Sequence, residues 1–154
     1  MFDNWTIPTE LFEWIRENLP DGKTILELGS GNGTTELLKH YTVYSIEHDP
    51  AWIGQTKSNY IFAPIISYED YEWYDSGVLL DLPKYDLILV DGPTGKIGRG
   101  GFYRNSHLFD MSVPIVIDDT QRYAEFKLAG TLGKSLNREV TYFHETWRKF
   151  AVIK

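Results

Sequence analysis

A glycine-rich segment at residues 24–34 (TILELGSGNGT) carries the first pattern with a chemical use. Its glycines at positions 29, 31 and 33 accept backbone angles that side chains forbid, and they let a ligand approach the main chain. The apolar run before them predicts a strand, and residues 34–40 predict a helix. A strand, a tight turn and a helix N-terminus in this order are typical of a site for a nucleotide-like ligand.

The spacing of the glycines separates the possible ligands. A dinucleotide fingerprint, G-x-G-x-x-G, needs its third glycine at position 34, where the chain has Thr34. Glu27 also lies two residues before Gly29, where a carboxylate would repel a pyrophosphate but can pair with an amine. The spacing disfavours a dinucleotide and leaves an amine-bearing ligand or a purely structural turn.

The pattern E-x-G-x-G-x-G at residues 27–33 resembles the first motif of class I S-adenosylmethionine (SAM) methyltransferases. Their ligand carries an α-amino group and a sulfonium but no phosphate. The resemblance implies a SAM site formed by Glu27, Gly29, Ser30, Gly31 and Gly33.

The adenosine half of such a ligand needs further contacts. Glu47 closes the second predicted strand 18 residues after Gly29, near the ~20-residue spacing at which an acid binds ribose. His48 follows it as another cofactor-binding candidate. The methyltransferase resemblance implies that the loop after the third strand contacts adenine, with the candidates Tyr68, Glu69 and Trp73. Alternatively, Glu47 is a solvated acid before a helix, and the aromatic residues belong to the core or face a partner.

Three acids follow two other predicted strands: Asp91 ends the fourth, and Asp118 and Asp119 end the fifth. Carboxylates at neighbouring strand ends repel one another unless they are protonated or neutralised by a cation, and oxygen ligands suit Mg²⁺. The arrangement resembles the metal-dependent catechol and macrolide-sugar O-methyltransferases, which implies that Asp91, Asp118 and Asp119 bind Mg²⁺. Alternatively, Asp91 binds SAM or fixes the loop, and Asp119 is an acid favoured by a helix dipole.

Methyl transfer to a hydroxyl needs a base that takes its proton. The candidates are Asp91, Lys96 and His107. Lys96 has a position similar to the lysine base of catechol enzymes, but its glycine-rich loop also suits anion binding. A lone histidine on a helix, such as His107, is more often structural. The sequence does not choose among the three.

The loop after the fourth strand carries D-G-P-x-G at residues 91–95 and then Gly98-Arg99. This segment is similar to one in sugar and polysaccharide 4-O-methyltransferases. The similarity implies that Arg99 and Arg104 bind an acidic or phosphorylated substrate through bidentate hydrogen bonds. The alternative is a surface loop whose basic side chains are solvated.

Hydrophobic periodicity and turn signals predict the elements that position these residues. Helices are predicted at 9–18, 34–40, 103–111 and 120–136, and another one after Asp49 and Pro50. Strands are predicted at 24–28, 43–47, 61–67, 85–91, 113–118, 139–144 and 149–154. Pro64 interrupts the third strand, which indicates a sheet edge.

Strands that alternate with helices and end in an antiparallel hairpin predict an α/β fold. We expect a Rossmann-like, doubly wound, mostly parallel sheet of seven strands, which matches the strand order of class I methyltransferases. One domain is expected over residues 1–154, with an N-terminal helix in 1–20 and a core in 24–154.

Composition limits the function further. A net charge of −7 disfavours a nucleic-acid binder, and no apolar run approaches the ~20 residues of a membrane span. The absence of cysteine excludes disulfides, and without a secretory pattern at the N-terminus the cytoplasm is the default location. We therefore expect a SAM-dependent O-methyltransferase for a small, sugar-like or acidic molecule, assisted by Mg²⁺.

Two other interpretations remain. An N-methyltransferase or nucleic-acid enzyme is disfavoured, because no Asn/Asp-Pro-Pro-aromatic motif follows the fourth strand. A non-catalytic SAM-binding or partner-binding domain gains weight from the short segment before the first strand, which leaves little chain to cover a substrate. A homodimer or a partner chain could complete such a cover.

Overall fold

The structure, a computed structural model, describes residues 7–145 and 148–154. The α-helices in these ranges are α1 (Thr9–Asn18), α2 (Asn32–Leu38), α3 (Gly101–Arg104) and α4 (Tyr123–Leu136). The strands are β1 (Thr24–Leu28), β2 (Thr42–Glu47), β3 (Asn59–Phe62), β4 (Ile65–Ser67), β5 (Glu72–Tyr74), β6 (Leu87–Val90), β7 (Ile115–Asp118), β8 (Val140–Phe143) and β9 (Phe150–Ile153). No helix in the described part of the chain is long and apolar enough to cross a membrane.

Seven of these strands form one sheet in the order β3-β2-β1-β6-β7-β9-β8. The first five in this order run parallel, whereas β9 lies antiparallel between β7 and β8. The predicted seven-stranded, mostly parallel sheet with a C-terminal antiparallel pair is confirmed. The strand order reverses between β1 and β6, and the carboxyl ends of the two strands are therefore neighbours with a crevice outside them.

The sheet is covered on both faces, which explains why its central strands are continuous apolar runs. Every residue of β6 (LILV) and of β7 (IVID) is buried. One apolar cluster places Leu11 and Ile15 of α1 against one face. The other cluster places Phe102 of α3 and Leu128 of α4 against the opposite face.

Pro64 divides the third predicted strand more sharply than expected. Residues 59–62 form β3 at the edge of the main sheet, as predicted. Residues 65–67 form β4, which pairs with β5 in a separate two-stranded sheet. Proline has no backbone N–H to donate to a ladder, so the chain leaves the main sheet at this position.

Four predicted helices differ from the structure, and the one predicted at 34–40 differs least, since α2 only begins and ends two residues earlier. The helix after Pro50 is absent, because the chain makes turns there and passes Gly54 at a φ of 84°. The helix at 103–111 is shortened to α3 and a 3₁₀ turn at Ser106–Leu108. The helix predicted from residue 120 begins at Tyr123, because Asp119 has a φ of 63° and Arg122 has extended backbone angles (φ −83°, ψ 138°).

Gly101 at the start of α3 lies directly on the indole of Trp73, whose side chain is fully buried. A methyl group at position 101 would overlap the ring carbons. We expect Gly101→Ala to lower the free energy of unfolding by about 1–3 kcal/mol, as overpacking of a core does. Urea denaturation measures the loss, and Gly100→Ala, where a methyl group meets open space, is the matched control. Equal stability of the two variants would contradict this packing.

Candidate functional site

A cavity of about 790 Å³ opens at the carboxyl ends of the central parallel strands. This is the position at which open α/β sheets bind ligands. One side of it is formed by the chain after β1 and β2, with Gly29, Ser30, Glu47, His48, Asp49 and Trp52. The opposite side is formed by the chain after β6 and β7, with Asp91, Lys96, Arg99, Asp119 and Arg122, and by Arg148 just before β9.

The glycine turn brings two strand ends into backbone contact. Gly29 has a φ of 89°, and its N–H donates to the carbonyl of Ile46 over 2.8 Å. A Cβ at position 29 would lie 2.8 Å from the carbonyl oxygen of Asp91. Gly92 meets the same limit, because its Cβ would lie 2.8 Å from the Cα of Gly29. Only glycine allows the turn and the chain after β6 to approach this closely.

The other two glycines of the motif, Gly31 and Gly33, shape the start of α2 and its packing. The N–H of Gly31 donates to the hydroxyl of Thr34 over 3.1 Å at the start of α2. A Cβ at Gly33 would lie 3.1 Å from Cγ1 of Ile7, so this glycine lets the N-terminal segment pack on the helix. Neither is among the residues that line the cavity, whereas Gly29 and Ser30 are.

Glu27 lies behind the turn and not among the cavity-lining residues. One of its carboxylate oxygens accepts hydrogen bonds of 2.6 Å from the hydroxyls of Thr34 and Ser45. Burial raises the pKa of Glu27 from about 4.5 to about 7, although these two hydrogen bonds oppose the shift. The pairing with an amine that the motif predicted for Glu27 stays a prediction.

The raised pKa of Glu27 makes its ionisation unfavourable for folding. Between pH 4.5 and 7 the native state holds the proton that the unfolded state releases, so stability falls as the pH rises through this window. Glu27→Gln removes this dependence. We expect the difference in unfolding free energy between variant and wild type to change by about 3 kcal/mol from pH 4 to pH 8, in favour of the variant at high pH.

Chemical denaturation across this pH range measures that difference. Glu17→Gln, which changes an exposed acid on α1, is the matched control and should give a constant difference. A constant difference for Glu27→Gln as well would contradict its buried, proton-binding position.

Glu47 at the end of β2 is held rigidly at the cavity wall. One of its oxygens accepts from the N–H of Ser30 over 2.8 Å, and the other accepts from the N–H groups of His48 and Asp49 over 2.9 Å each. These bonds tie the end of β2 to the turn after β1 and fix the carboxylate before any ligand arrives. Carboxylate oxygens have further lone pairs, so Glu47 can still accept from a ligand hydroxyl.

The predicted adenine contacts lie elsewhere. Tyr68 stacks on Tyr71 with ring centroids 4.6 Å apart, and its hydroxyl bonds to the carbonyl of Tyr74 and the N–H of Ser76. Trp73 belongs to the core, and neither these residues nor Glu69 line the cavity. The aromatic ring that does line it is Trp52, which sequence reasoning missed. Its signal was its place in the turn directly after the acid of β2.

The three predicted metal ligands do come together. Asp91, Asp118 and Asp119 each offer an oxygen, and the three atoms lie within 4.8 Å of one another. Burial raises the pKa of Asp91 to about 6 against the opposing charge of Arg99, and burial together with Asp91 raises the pKa of Asp118 well above its usual range. Burial also disfavours ionised Asp119, but Arg99 and Arg122 outweigh it and lower the pKa of this group.

The predicted substrate arginines have different surroundings. Arg99 is only 4% exposed and donates to the carbonyls of Pro93, Asp91 and Asp118 over 3.0–3.2 Å. It therefore anchors the glycine-rich loop to the ends of β6 and β7. Arg104 pairs with Asp70 at the surface and is not among the cavity-lining residues.

Two of the three candidate bases line the cavity, and the third does not. Asp91 and Lys96 line the cavity, and Lys96 is exposed. His107 lies in the 3₁₀ turn after α3 and does not line it. Sequence reasoning missed Arg122 and Arg148. A Cβ at Gly95 would lie 2.7 Å from Nη1 of Arg122, so the bare loop backbone lets this guanidinium reach the cavity.

The comparisons with known proteins concern the fold. A scan against protein-family models finds no match, and a search of curated protein sequences finds none either. Precorrin 8W decarboxylase of Methanobacterium thermoautotrophicum is similar with a TM-score of 0.62 and 16% identity, over 96% of this chain and 91% of that one. The SAH-bound methyltransferase PaMTH1 of Podospora anserina is similar with a TM-score of 0.60 and 17% identity, over 94% of this chain and 76% of that one. Aeropyrum pernix fibrillarin with natively bound SAM is similar with a TM-score of 0.57 and 14% identity, over 88% of this chain and 67% of that one.

The chain has the class I methyltransferase fold. In this methyltransferase fold the two strand ends with the glycine turn and Glu47 form one wall of the cavity. The chain after β6 and β7 forms the facing wall, where the acids and arginines lie. The identities are low, so the likeness establishes the shared fold alone.

Proposed function

We propose that this protein is a SAM-dependent methyltransferase. The observation that carries the proposal is the prearranged wall of the cavity, in which the backbone turn at Gly29 and Ser30 lies beside the fixed carboxylate of Glu47. An adenosyl amino acid needs a close main-chain surface and an acceptor for its ribose hydroxyls. Solved neighbours with SAH and with SAM support the same choice of ligand.

Different cavity-lining residues contact different parts of the methyl donor in this proposal. Glu47 accepts from the ribose hydroxyls, and His48 and Trp52 form the surface beside the nucleoside. The turn at Gly29 and Ser30 faces the amino-acid part. Asp91 is the carboxylate of the facing wall next to this turn, so it pairs with the donor's ammonium group.

The acceptor in this proposal is a small hydroxylated molecule, sugar-like or acidic. The guanidinium of Arg122, 46% exposed, presents positive charge at the wall opposite Glu47. An acceptor oxygen attacks the sulfonium methyl carbon, the O–C bond forms as the S–C bond breaks, and SAH leaves. The cavity contributes by aligning the three atoms, since positioning replaces a bimolecular encounter. Lys96, in its neutral amine form, takes the hydroxyl proton, because it lines the cavity.

Assistance by Mg²⁺ needs the three clustered aspartates as ligands. Their spacing suits one cation. Their oxygens, however, are already paired with arginines: Arg99 lies 2.9 Å from Asp119, and Arg148 lies 3.0 Å from Asp118. This donor set does not fit a divalent cation, and no step of the proposed reaction passes through one.

The test of the proposal is a methyl-transfer assay with SAM carrying a labelled methyl group. The acceptors are a panel of sugars, uronic acids and nucleotide sugars, and the readouts are SAH release and label in the product. We expect turnover with at least one hydroxylated acceptor, and the Glu47→Ala variant should need about 100-fold more SAM for the same rate. SAM binding without turnover on any acceptor would favour a non-catalytic SAM-binding domain instead.

A further inference from the structure

The ends of β6 and β7 hold more negative charge than a protein interior tolerates without compensation. Asp118 and Asp119 are buried, and Asp91 is half-buried beside them. Because their oxygens lie within 4.8 Å of one another, their ionised forms repel strongly unless cations lie among them or some of the acids stay protonated. The neighbouring arginine side chains supply the positive charge that compensates these acids.

Arg99 occupies the space between two of the three carboxylates. Its Nη2 lies 2.9 Å from Oδ2 of Asp119 and 3.6 Å from Oδ1 of Asp91. Its remaining contacts hold it there, because Nε donates to the carbonyl of Pro93 and Nη1 donates to the carbonyl of Asp118. Moving this guanidinium aside for another cation would break all of these bonds inside the protein.

Arg148 closes the third position. Its Nη2 lies 3.0 Å from Oδ2 of Asp118 and 3.6 Å from Oδ1 of Asp119. The other oxygen of Asp118 accepts from the N–H of Asp119 over 2.7 Å. Nη1 of Arg122 also lies 3.6 Å from Oδ2 of Asp119. Each of the three carboxylates therefore touches a guanidinium, and a divalent cation among them would lie against three positive groups.

We infer that Arg99 and Arg148 supply the positive charge that a divalent metal would bring to such a cluster. The strand-end acids and the two guanidinium groups form a closed, metal-free ion-pair network. Planar guanidinium groups suit this role because they bridge carboxylates through several fixed donors. The inference concerns the protein without any ligand, so it stands or falls separately from the proposed methyl transfer.

The test is binding of Mn²⁺ to the 154-residue chain, followed by the electron paramagnetic resonance signal of free Mn²⁺. We expect wild-type protein to leave this signal unchanged. In Arg148→Ala the uncovered acids should bind Mn²⁺ and reduce the signal, and a second change, Asp119→Asn, should restore it. Arg104→Ala is the matched control, because it removes the same charge from a surface pair with Asp70 and should leave the signal unchanged.

Two results would overturn the inference. One is saturable Mn²⁺ binding by wild-type protein that Asp119→Asn abolishes, because the acids would then hold a metal despite the arginines. The other is no Mn²⁺ binding by folded Arg148→Ala, because the arginine would then not be covering a cation site. If Arg148→Ala does not fold, Mn²⁺ binding by wild type and Asp119→Asn decides alone. Calorimetry with SAM on the same samples reports the proposed function independently.

Discussion

Replacing Glu47 by alanine is expected to weaken SAM binding by about 100-fold. The variant loses the acceptor for the ribose hydroxyls, and a hydrogen bond to a charged group contributes about 1.5–3 kcal/mol. It also leaves the N–H groups of Ser30, His48 and Asp49 without the carboxylate that now orders them. A loss of ~3 kcal/mol corresponds to about two powers of ten in the dissociation constant. Isothermal titration calorimetry measures it.

The control for this loss is Glu36→Ala, which removes an acid that pairs with Lys39 on the surface of α2. It changes the net charge by the same amount and should leave the affinity unchanged. Glu47→Gln should fall between the two, since the amide keeps one acceptor oxygen. If Glu47→Ala and Glu36→Ala bind SAM equally well, the assignment of Glu47 to the donor is wrong.

Replacing Arg99 by methionine is expected to lower the free energy of unfolding by about 3–5 kcal/mol at neutral pH. Removing one partner of a buried ion pair leaves the other charge uncompensated. Here Asp91 loses the guanidinium beside it, and Asp119 loses the nearest of the guanidinium groups around it. The loop after β6 also loses its anchor to the carbonyls of Pro93 and Asp118. The variant should therefore be among the least stable single substitutions in the chain.

The pH dependence of the stability loss in Arg99→Met distinguishes the contribution of the ion pairs from that of side-chain packing. Because Arg99 lowers the pKa of Asp91 in the wild type, that pKa rises further above 6 in the variant. Acidification then protonates Asp91 in the variant first, so the stability difference should shrink as the pH falls toward about 6, where Asp91 takes up its proton in the wild type as well. Arg104→Met, which breaks an exposed pair, should cost about 0–1 kcal/mol at every pH. An Arg99→Met loss as small as this, or independent of pH, would contradict a network held by charge.

The elements with strong local signals could be predicted from the sequence. The helix at Thr9–Asn18 and the strand at Thr24–Leu28 have the predicted bounds, because their apolar spacing and flanking turn residues agree. The insertion of β9 between β7 and β8 carries no local signal, since it depends on which strands meet in space. The loss of the helix after Pro50 shows the same limit. A favourable cap there did not produce a helix, and the chain turns instead.

The candidate site divides in a similar way. Gly29, Glu47 and Asp91 could be placed at the cavity because motif order and strand ends locate them without knowledge of side-chain packing. The surroundings of Arg99 could not be predicted, because a basic residue in a glycine-rich loop is expected to be exposed. Its burial depends on four carbonyl and carboxylate groups that only the folded chain assembles. The core position of Trp73, one of the two alternatives for this residue, depends on packing in the same way, since the bare backbone of Gly101 makes room for its ring.

Titration of the 154-residue chain with SAM in a calorimeter tests the central claim most directly. The turn at Gly29 and the fixed carboxylate of Glu47 predict saturable binding of one SAM per chain, competition by SAH, and loss of the signal in Glu47→Ala. A flat trace from protein that circular dichroism shows to be folded would contradict it.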